Sequence, residues 1–360
     1  MSLGLSTPAF GARRAAQHLA RLPAAGRDRL PGIVLCLLVA CGAVGLQALE
    51  RATFGRSWLE SLVLAILLGA AIRTAWTPGA RWRAGIDFCA RPVLEVAVVL
   101  LGLSVSATTL LSAGWALPLA VAGTVCVSLL TAFGIGRALG LNRRMAILIA
   151  CGNSICGNSA IAAVAPLIGA DADDVTASIA FTAVLGVLTV LVLPLAGAAL
   201  HLSPTGLGAL AGLTVYAVPQ VLAATAAMGP TAMQFGALVK LTRVLMLGPV
   251  FAVLALILGR RASSASARAW PPVHKLLPWF IVGFLVCLAA RSAGVVPTPV
   301  IAPAETVTGL LTTLSMAGLG LMTDLRALRR AGGRAAVAAT LSLSVLAVIA
   351  LGVVRLLGLA

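Results

Sequence analysis

Apolar stretches long enough to cross a membrane recur from about residue 31 to the C-terminus, and no other feature constrains the fold of this chain as strongly. A helix needs about 20 apolar residues to cross the roughly 30 Å hydrocarbon layer. Lipid offers no hydrogen-bond partner to the backbone, so a crossing segment must satisfy its own N–H and C=O groups. Hydrophobic residues make up 60% of the chain and charged residues 10%, which is outside the range of soluble domains. The sequence predicts an all-α polytopic membrane protein.

The hydropathy pattern predicts about 11 transmembrane helices, with a cytoplasmic tail over 1–30 and one integral membrane domain over 31–360. The predicted spans lie at about 31–49, 60–76, 91–111, 115–139, 144–168, 174–200, 205–228, 233–260, 277–294, 305–327 and 334–358. About 20 Lys and Arg residues fall on the side of the tail and about four on the other side. This asymmetry predicts a cytoplasmic N-terminus and an external C-terminus. It also places the acidic loop of Asp171, Asp173 and Asp174 outside.

The net charge of +16 would suggest a nucleic-acid partner in a soluble protein, but membrane topology accounts for it here. The six Trp residues lie near the ends of predicted spans, where interfacial aromatics belong. The seven Cys residues lie in or beside apolar runs, in an odd number and with no repeated CxxC pair. We therefore expect no nucleic acid, disulfide framework, metal site or cofactor.

The segment Cys151–Ala160, CGNSICGNSA, interrupts an apolar stretch that runs from about Met145 to Ile168. Its Gly and Asn residues lower helix propensity by up to about 1 kcal/mol each. Loosened backbone inside a membrane persists only where protein or a watery cavity satisfies it, and transporters use such breaks as binding sites. We predict a broken helix and a substrate site here; the alternative is a close-packed Gly/Ser helix interface. The candidate ligands are Asn153, Ser154, Cys156, Gly157, Asn158 and Ser159.

Spans two to six and seven to eleven can be overlaid as inverted five-helix repeats, over about 60–200 and 205–358. The broken segment is fourth in the first set. The overlay predicts a second break at Ala317–Gly320, with Ser315 and Gly318 as candidate ligands. The alternative is that the small residues of this segment permit close helix packing.

Two cations, Lys240 and Arg243, lie inside the eighth predicted span and share one helix face. A cation at that depth costs at least about 2.5–3.5 kcal/mol on insertion scales, so a partner must offset the cost. One interpretation is a clamp for an anionic substrate, assisted by the N-termini of half-helices. The other is structural pairing with helix carbonyl ends or with Glu95.

The seventh predicted span contains TVYAVPQV, in which Tyr216, Pro219 and Gln220 interrupt an apolar helix. Pro219 removes a helical hydrogen bond and should kink the span. Tyr216 and Gln220 are four residues apart and share a face, so they can serve a ligand or the freed carbonyl groups. At 1.5 Å per residue, Tyr216, Ser154, Arg243 and Ser315 all lie about 15 Å deep. We predict that these residues meet near the midplane.

Glu95 is a carboxylate predicted inside a span, which makes it the candidate for coupling transport to protons. An enzyme is the competing class, because Ser154 within GNSICG could act as a nucleophile. The three His residues, however, lie in tail or loop regions, so no base is placed beside it. A GxxxxGK[ST] motif is also absent from the sequence. We therefore predict neither an enzyme nor a nucleotide-driven pump.

Several motifs together resemble the YeiH-type family of bacterial inner-membrane proteins, which are named as sulfate exporters. The resemblance covers about residues 60–358 and rests on SICG at Ser154–Gly157, on the KxxR of Lys240 and Arg243, on TVYAVPQV, and on GLGLMTDLRALRRAG. It implies a fold similar to sodium/proton antiporters, with crossed discontinuous helices, and export of sulfate or a related sulfur anion or sulfonate.

The sequence departs from this family pattern at Tyr216, Ala217, Glu95 and Ser104, which leaves the substrate and the coupling ion open. Our prediction is a secondary active transporter of a small anion in the bacterial inner membrane. The expected partners are the anion, the lipid bilayer and a coupling proton or sodium ion, and a homodimer is compatible with this class. An anion channel of the same architecture is the alternative.

Overall fold

The computed structural model describes residues 22–54, 60–104, 114–259, 279–324, 326 and 333–359, and these ranges are helical with short connections. The helices of the N-terminal half are α1 (Leu22–Phe54), α2 (Ser61–Ala75), α3 (Ala80–Phe88), α4 (Leu94–Leu101), α5 (Ala116–Ala138), α6 (Arg143–Cys151), α7 (Asn158–Ile168) and α8 (Ala172–Ala199). Those of the C-terminal half are α9 (Pro204–Thr214), α10 (Val218–Thr225), α11 (Pro230–Leu245), α12 (Leu247–Gly259), α13 (Trp279–Ser292), α14 (Thr298–Met322) and α15 (Gly333–Leu356). Most of the predicted tail lies outside these ranges, and α1 already runs through Pro31.

Within the described ranges, six helical segments are long and apolar enough to cross a membrane by length and composition. They are Asp28–Thr53, Ala116–Ala138, Ala172–Ala199, Pro230–Ile257, Pro299–Met322 and Gly333–Leu356. The described part of the chain is therefore all-helical and suited to a membrane. Shorter apolar helices, including α2, α7, α10 and α13, complete the structure.

Helices α1 to α4, α13 and α14 form one bundle, which we call the glycine-packed bundle. Its helices approach closely where glycines face a neighbouring backbone. A Cβ atom at Gly69 of α2 would lie 2.7 Å from the Ala317 carbonyl oxygen of α14, and one at Gly318 would lie 2.9 Å from the Ala90 nitrogen. Such contacts suit helix association in lipid, where close van der Waals packing drives assembly.

The predicted break at Ala317–Gly320 is wrong, because α14 is continuous from Thr298 to Met322. Gly320 and Gly318 instead pack against α2 and the segment around Ala90. Close helix packing, the alternative interpretation of these small residues, is confirmed. The overlay that placed a break fourth in each repeat fails in its second half for the same reason.

Helices α5 to α12 and α15 form the second bundle, which we call the hairpin bundle. Its first broken segment, residues 143–168, enters the bundle and turns back. Arg144 at its start forms an ion pair of 3.3 Å with Asp171 just after its end. The Asn142 amide also donates to Asp174 at 3.0 Å. A straight helix of this length would separate those ends by about 39 Å. We call this segment the first hairpin.

A second hairpin comprises α9 and α10, residues 204–225. Cβ positions at Gly208 and Gly212 lie beside Ala232 and Gly236 of α11 in turn, so α9 and α11 run in the same direction. The Cβ position of Gly236 lies close to both Gly208 and Val221. Because Gly208 is on α9 and Val221 on α10, α10 must fold back along α9. The prediction that span seven crosses with a kink at Pro219 is therefore wrong.

The two hairpins enter the bundle from opposite ends. Helix α8 has 28 residues, so it is about 42 Å long, and it joins the base of the first hairpin to that of the second. Predicted spans five and seven do not cross, and the acidic loop lies on the same face as Arg144 rather than opposite to it. The connections on either side of α8 contain no Lys or Arg. The basic-residue asymmetry is consequently unchanged, which is why it could not reveal the error.

Candidate functional site

The tip of the first hairpin is a sharp reversal at Gly157. Helix α6 begins at the Asn142 cap, whose side chain accepts from the Met145 N–H at 2.7 Å, and continues through a π-helical segment, Gly152–Cys156. Gly157 then adopts φ 65° and ψ −123°, a conformation that residues with a Cβ atom avoid. A Cβ atom there would also lie 3.1 Å from the Tyr216 Cβ. The predicted helix break is confirmed at this position.

The tip of the second hairpin is a short extended segment, Val215–Ala217. Ser203 caps the start of α9, which ends at Thr214. Val215 and Ala217 are extended, and α10 begins at Val218 with Pro219 in its first turn. A proline is tolerated there because the first N–H groups of a helix have no partner within the helix. Pro219 therefore starts a helix instead of kinking one.

Arg243 of α11 joins the two tips through their carbonyl groups. Its Nε donates to the Ser154 carbonyl at 2.7 Å, and its Nη2 donates to the Asn153 carbonyl. Its Nη1 donates to the Val215 carbonyl at 3.3 Å and lies 3.5 Å from that of Gly212. The side chain is completely buried. A planar fork with several fixed donors is what this multiple contact requires.

Lys240, one turn earlier on α11, also joins the two tips through their carbonyl groups, with a single ammonium group. Its Nζ donates to the Ile155 carbonyl at 2.6 Å and to the Val215 carbonyl at 2.9 Å. It is also completely buried. Carbonyl groups at the C-terminal end of a helix carry partial negative charge, which favours a nearby cation. The structure thus shows the pairing with helix carbonyl ends that the sequence left open, and Glu95 takes no part in it.

Asn153 and Tyr216 form a second connection between the tips. The Tyr216 hydroxyl donates to the Asn153 side-chain oxygen at 2.9 Å, and the Asn153 amide donates to the Ala339 carbonyl of α15 at 3.0 Å. Gln220 accepts from the Ala217 N–H at 3.3 Å and packs against Gly186 of α8. These three predicted site residues therefore lie together, and each contributes to the geometry of the tips.

The N-termini of α7 and α10 lie side by side, because Gly157 packs directly on Tyr216. The first N–H groups of each half-helix have no partner within the helix and carry partial positive charge. Asn158 and Ser159 at the start of α7 are exposed, and Cys156 is partly exposed. Ser154 is fully buried, and its hydroxyl has no partner among the described residues. Two positive helix ends with polar side chains suit a small anion.

Three predicted site residues make no hydrogen bond to the hairpin tips within the described ranges. Gly318 packs against Ala90 in the glycine-packed bundle, and Ser315 is buried on the same helix, with no hydrogen bond to its hydroxyl among the described residues. Glu95 is half-buried and accepts from the Trp279 indole at 2.7 Å. None of these contacts reaches a hairpin tip.

Sequence reasoning missed Thr182 and Gly186, both on α8. The Thr182 hydroxyl donates to the Asn158 side-chain oxygen at 2.5 Å, and Gly186 leaves room for Gln220. Their only signal was a polar or small residue within the apolar sequence of α8, which also fits ordinary packing. Nothing in the described ranges gathers three or more His, Cys, Asp or Glu residues as a metal site would.

Comparison with known proteins places this chain in a family. A family model described as Conserved hypothetical protein 698 matches residues 31–339. A UPF0324 membrane protein of Brucella melitensis is 52% identical to this chain over 92% of each sequence. Another, from Bradyrhizobium diazoefficiens, is 51% identical over 91% of this chain and 92% of its own. One from Bacillus cereus is 32% identical over 91% of this chain and 94% of its own. No solved structure matches. The chain belongs to the UPF0324 membrane protein family.

Proposed function

We propose that this protein is a secondary active transporter of a small anion and that the anion binds between the two hairpin tips. The observation that carries the proposal is the meeting of two half-helix N-termini, those of α7 and α10, inside a membrane-protein bundle. Transporters place such ends at anionic groups of their substrates. Hairpins that enter from opposite faces also give the site two routes, one toward each side of the membrane.

In this mechanism Lys240 and Arg243 position the site instead of binding the anion directly. Their N–H groups hold the carbonyl ends of both hairpins, so the C-terminal negative charges are neutralised and the N-terminal positive charges remain. Backbone N–H groups at the start of α7 and α10, with the side chains of Asn158 and Ser159, supply the donors. The substrate class is a sulfur oxyanion or sulfonate, as the resemblance of the SICG and KxxR motifs implies.

Movement of the anion requires the site to open to one side at a time, and the two hairpins are suited to this change. Each hairpin has its base at a different face, while the hydrogen bonds that join them lie at the tips. We place the protein in the bacterial inner membrane with a cytoplasmic N-terminus, because the basic residues favour that orientation. An anion channel of the same architecture is the alternative.

The deciding experiment uses purified protein in proteoliposomes. We expect radiolabelled sulfate, sulfite, thiosulfate or a sulfonate to accumulate against its gradient, and an uncoupler or sodium ionophore to abolish accumulation. Anion flux that only dissipates a gradient would favour the channel. Release of a reaction product would instead favour an intramembrane enzyme with Ser154 as nucleophile. Among the described residues, His201 lies just before the second hairpin, at its base, and not beside the Ser154 hydroxyl at the tip of the first.

Glu95 remains the candidate for proton coupling, and its position calls for a separate test. Its carboxylate accepts a hydrogen bond from the Trp279 indole at the start of α13, and no hydrogen bond in the described ranges joins it to a tip. If Glu95 carries the coupled proton, Glu95→Gln abolishes concentrative uptake but leaves exchange of anion for anion intact. Unchanged uptake and an unchanged pH profile would exclude this role.

A further inference from the structure

A cavity with three charged lining residues lies at one end of the glycine-packed bundle, apart from the hairpin tips. Its volume is about 170 Å³. It is lined by Arg73, Pro78, Arg83, Ile86, Asp87, Leu321 and Met322. The ends of α2 and α14 and the exposed side of α3 form its walls. The close packing of α2 on α14 at Gly69 fixes two of these walls in place.

One residue in the cavity wall, Arg73, carries an unused hydrogen-bond donor. The Arg73 Nη1 atom is buried and has no hydrogen-bond partner among the described residues. Asp87 lines the same cavity, yet none of the ion pairs in the described ranges joins it to Arg73 or Arg83. A buried guanidinium nitrogen without a partner is costly, so such groups usually mark a bound ion or water. Arg73 is one of the residues that line the cavity, whose volume admits a phosphate group.

The position of the cavity indicates where its ligand comes from. Trp76 and Trp82 are close in sequence to the lining residues Pro78 and Arg83. Their rings form an edge-to-face pair with centroids 5.6 Å apart. Trp76 is 44% exposed at the end of the apolar helix α2. Exposed Trp residues at helix ends mark the headgroup layer of a membrane. The cavity therefore opens at the depth of lipid phosphates.

We infer that this cavity binds the phosphate group of an anionic phospholipid, held by Arg73 and Arg83. Arg73 provides one cation in the wall of the cavity, and Arg83, which is exposed on α3, provides a second cation at the mouth. Arginine forks match phosphate oxygens and are favoured at such sites. The Asp87 carboxylate repels a doubly charged phosphate more strongly than a singly charged one, so the lining favours the single charge of a phosphodiester. This inference does not depend on the proposed transport function.

The test uses the full-length protein in nanodiscs and measures binding of labelled phosphatidylglycerol and phosphatidylcholine. We expect the wild type to prefer phosphatidylglycerol, and Arg73→Gln and Arg83→Gln each to weaken that binding roughly fivefold. Arg355→Gln, at an exposed arginine near the end of α15, is the matched control and should leave the preference unchanged.

Three results would overturn the inference. The first is equal binding of both lipids by the wild type. The second is an unchanged preference in Arg83→Gln, whose exposed side chain makes it the safe variant if Arg73→Gln folds poorly. The third is full displacement of the labelled lipid by inorganic phosphate alone, which would assign the cavity to a soluble anion.

Discussion

The two bundles contain similar Gly- and Ser-rich segments, but one breaks a helix and the other packs within an unbroken helix. In the first hairpin, GNSICG gives a π-helical segment and a chain reversal at Gly157. In α14, SMAGLG lies within an unbroken helix, where Gly318 and Gly320 bring neighbouring backbones close. The difference lies in what surrounds each segment. The first hairpin has two cations on α11 to satisfy its freed carbonyl groups, whereas the glycines of α14 meet other backbones.

This comparison shows that a helix break inside a membrane is decided by its partners as much as by its own residues. Freed carbonyl groups at mid-depth need donors, since lipid supplies none. Lys240 and Arg243 provide donors for both hairpins at once, so the two breaks depend on one another. A Gly-rich segment without such donors is most stable as a continuous helix.

The largest expected effect concerns the faces on which the hairpins begin. In a variant without native cysteines, Arg143→Cys and Ala172→Cys should react with an impermeant thiol reagent from the same side of the membrane. His201→Cys should react only from the other side, because α8 separates the two hairpin bases. The measurement is labelling of intact cells and of inverted vesicles. If position 172 reacts from the side opposite to position 143, and position 201 from the same side as 143, both hairpin segments cross the membrane as helices. That result would remove the contrast between the bundles.

The next effect concerns Arg243. Arg243→Lys keeps the charge but loses the planar fork, so several buried carbonyl groups lose their donor. We expect the free energy of unfolding to fall by about 2–4 kcal/mol, measured by thermal or detergent denaturation. Arg355→Lys, at an exposed site, should change it by less than about 0.5 kcal/mol. Wild-type stability together with lost anion binding would show instead that Arg243 contacts the substrate directly.

Part of this arrangement could be predicted from the sequence. The break near Gly157 followed from Gly and Asn in an apolar stretch, and the need to pair Lys240 and Arg243 followed from the cost of buried charge. The return of the first hairpin could not be predicted, because an apolar run of this length can either cross or turn back. The Arg144–Asp171 contact that distinguishes the two depends on the tertiary fold.

The second break was misplaced for a related reason. The overlay of the predicted spans as repeats placed it in SMAGLG of α14, although TVYAVPQV, with its proline and β-branched residues, weakens a helix more. What opens the backbone at Val215 is the pair of cations on α11, which are neighbours only in space. The basic-residue count could not correct the error, since the misplaced loops carry no Lys or Arg.

A paired glycine experiment sharpens the comparison. Gly157→Ala forces a Cβ atom into a strained conformation against Tyr216, which should cost about 1–3 kcal/mol and also reduce anion binding. Gly320→Ala drives a methyl group toward the Ile66 carbonyl of α2 and should cost a similar amount through overpacking. Of these two variants, only Gly320→Ala should keep its transport rate per folded molecule.

Gly309→Ala is the control for this pair, because a Cβ atom on that part of α14 meets no atom within 4 Å. Its stability and transport should match the wild type. The measurements are thermal denaturation and anion uptake normalised to folded protein. If Gly157→Ala keeps full uptake while Gly320→Ala loses it, the substrate pathway lies in the glycine-packed bundle.

The smallest effects are expected at the base of the first hairpin, where side chains are in contact with water. The Arg144 and Asp171 side chains are 50% and 72% exposed, so Asp171→Asn should cost no more than about 0.5 kcal/mol. Asn142→Ala should cost about 1 kcal/mol, because the Asn142 side chain caps α6 at 2.7 Å and also binds Asp174. Denaturation at low and high salt measures both, and salt should erase only the Asp171 effect. A loss of several kcal/mol in Asp171→Asn would mean that the base, and not the cations at the tips, holds the hairpin closed.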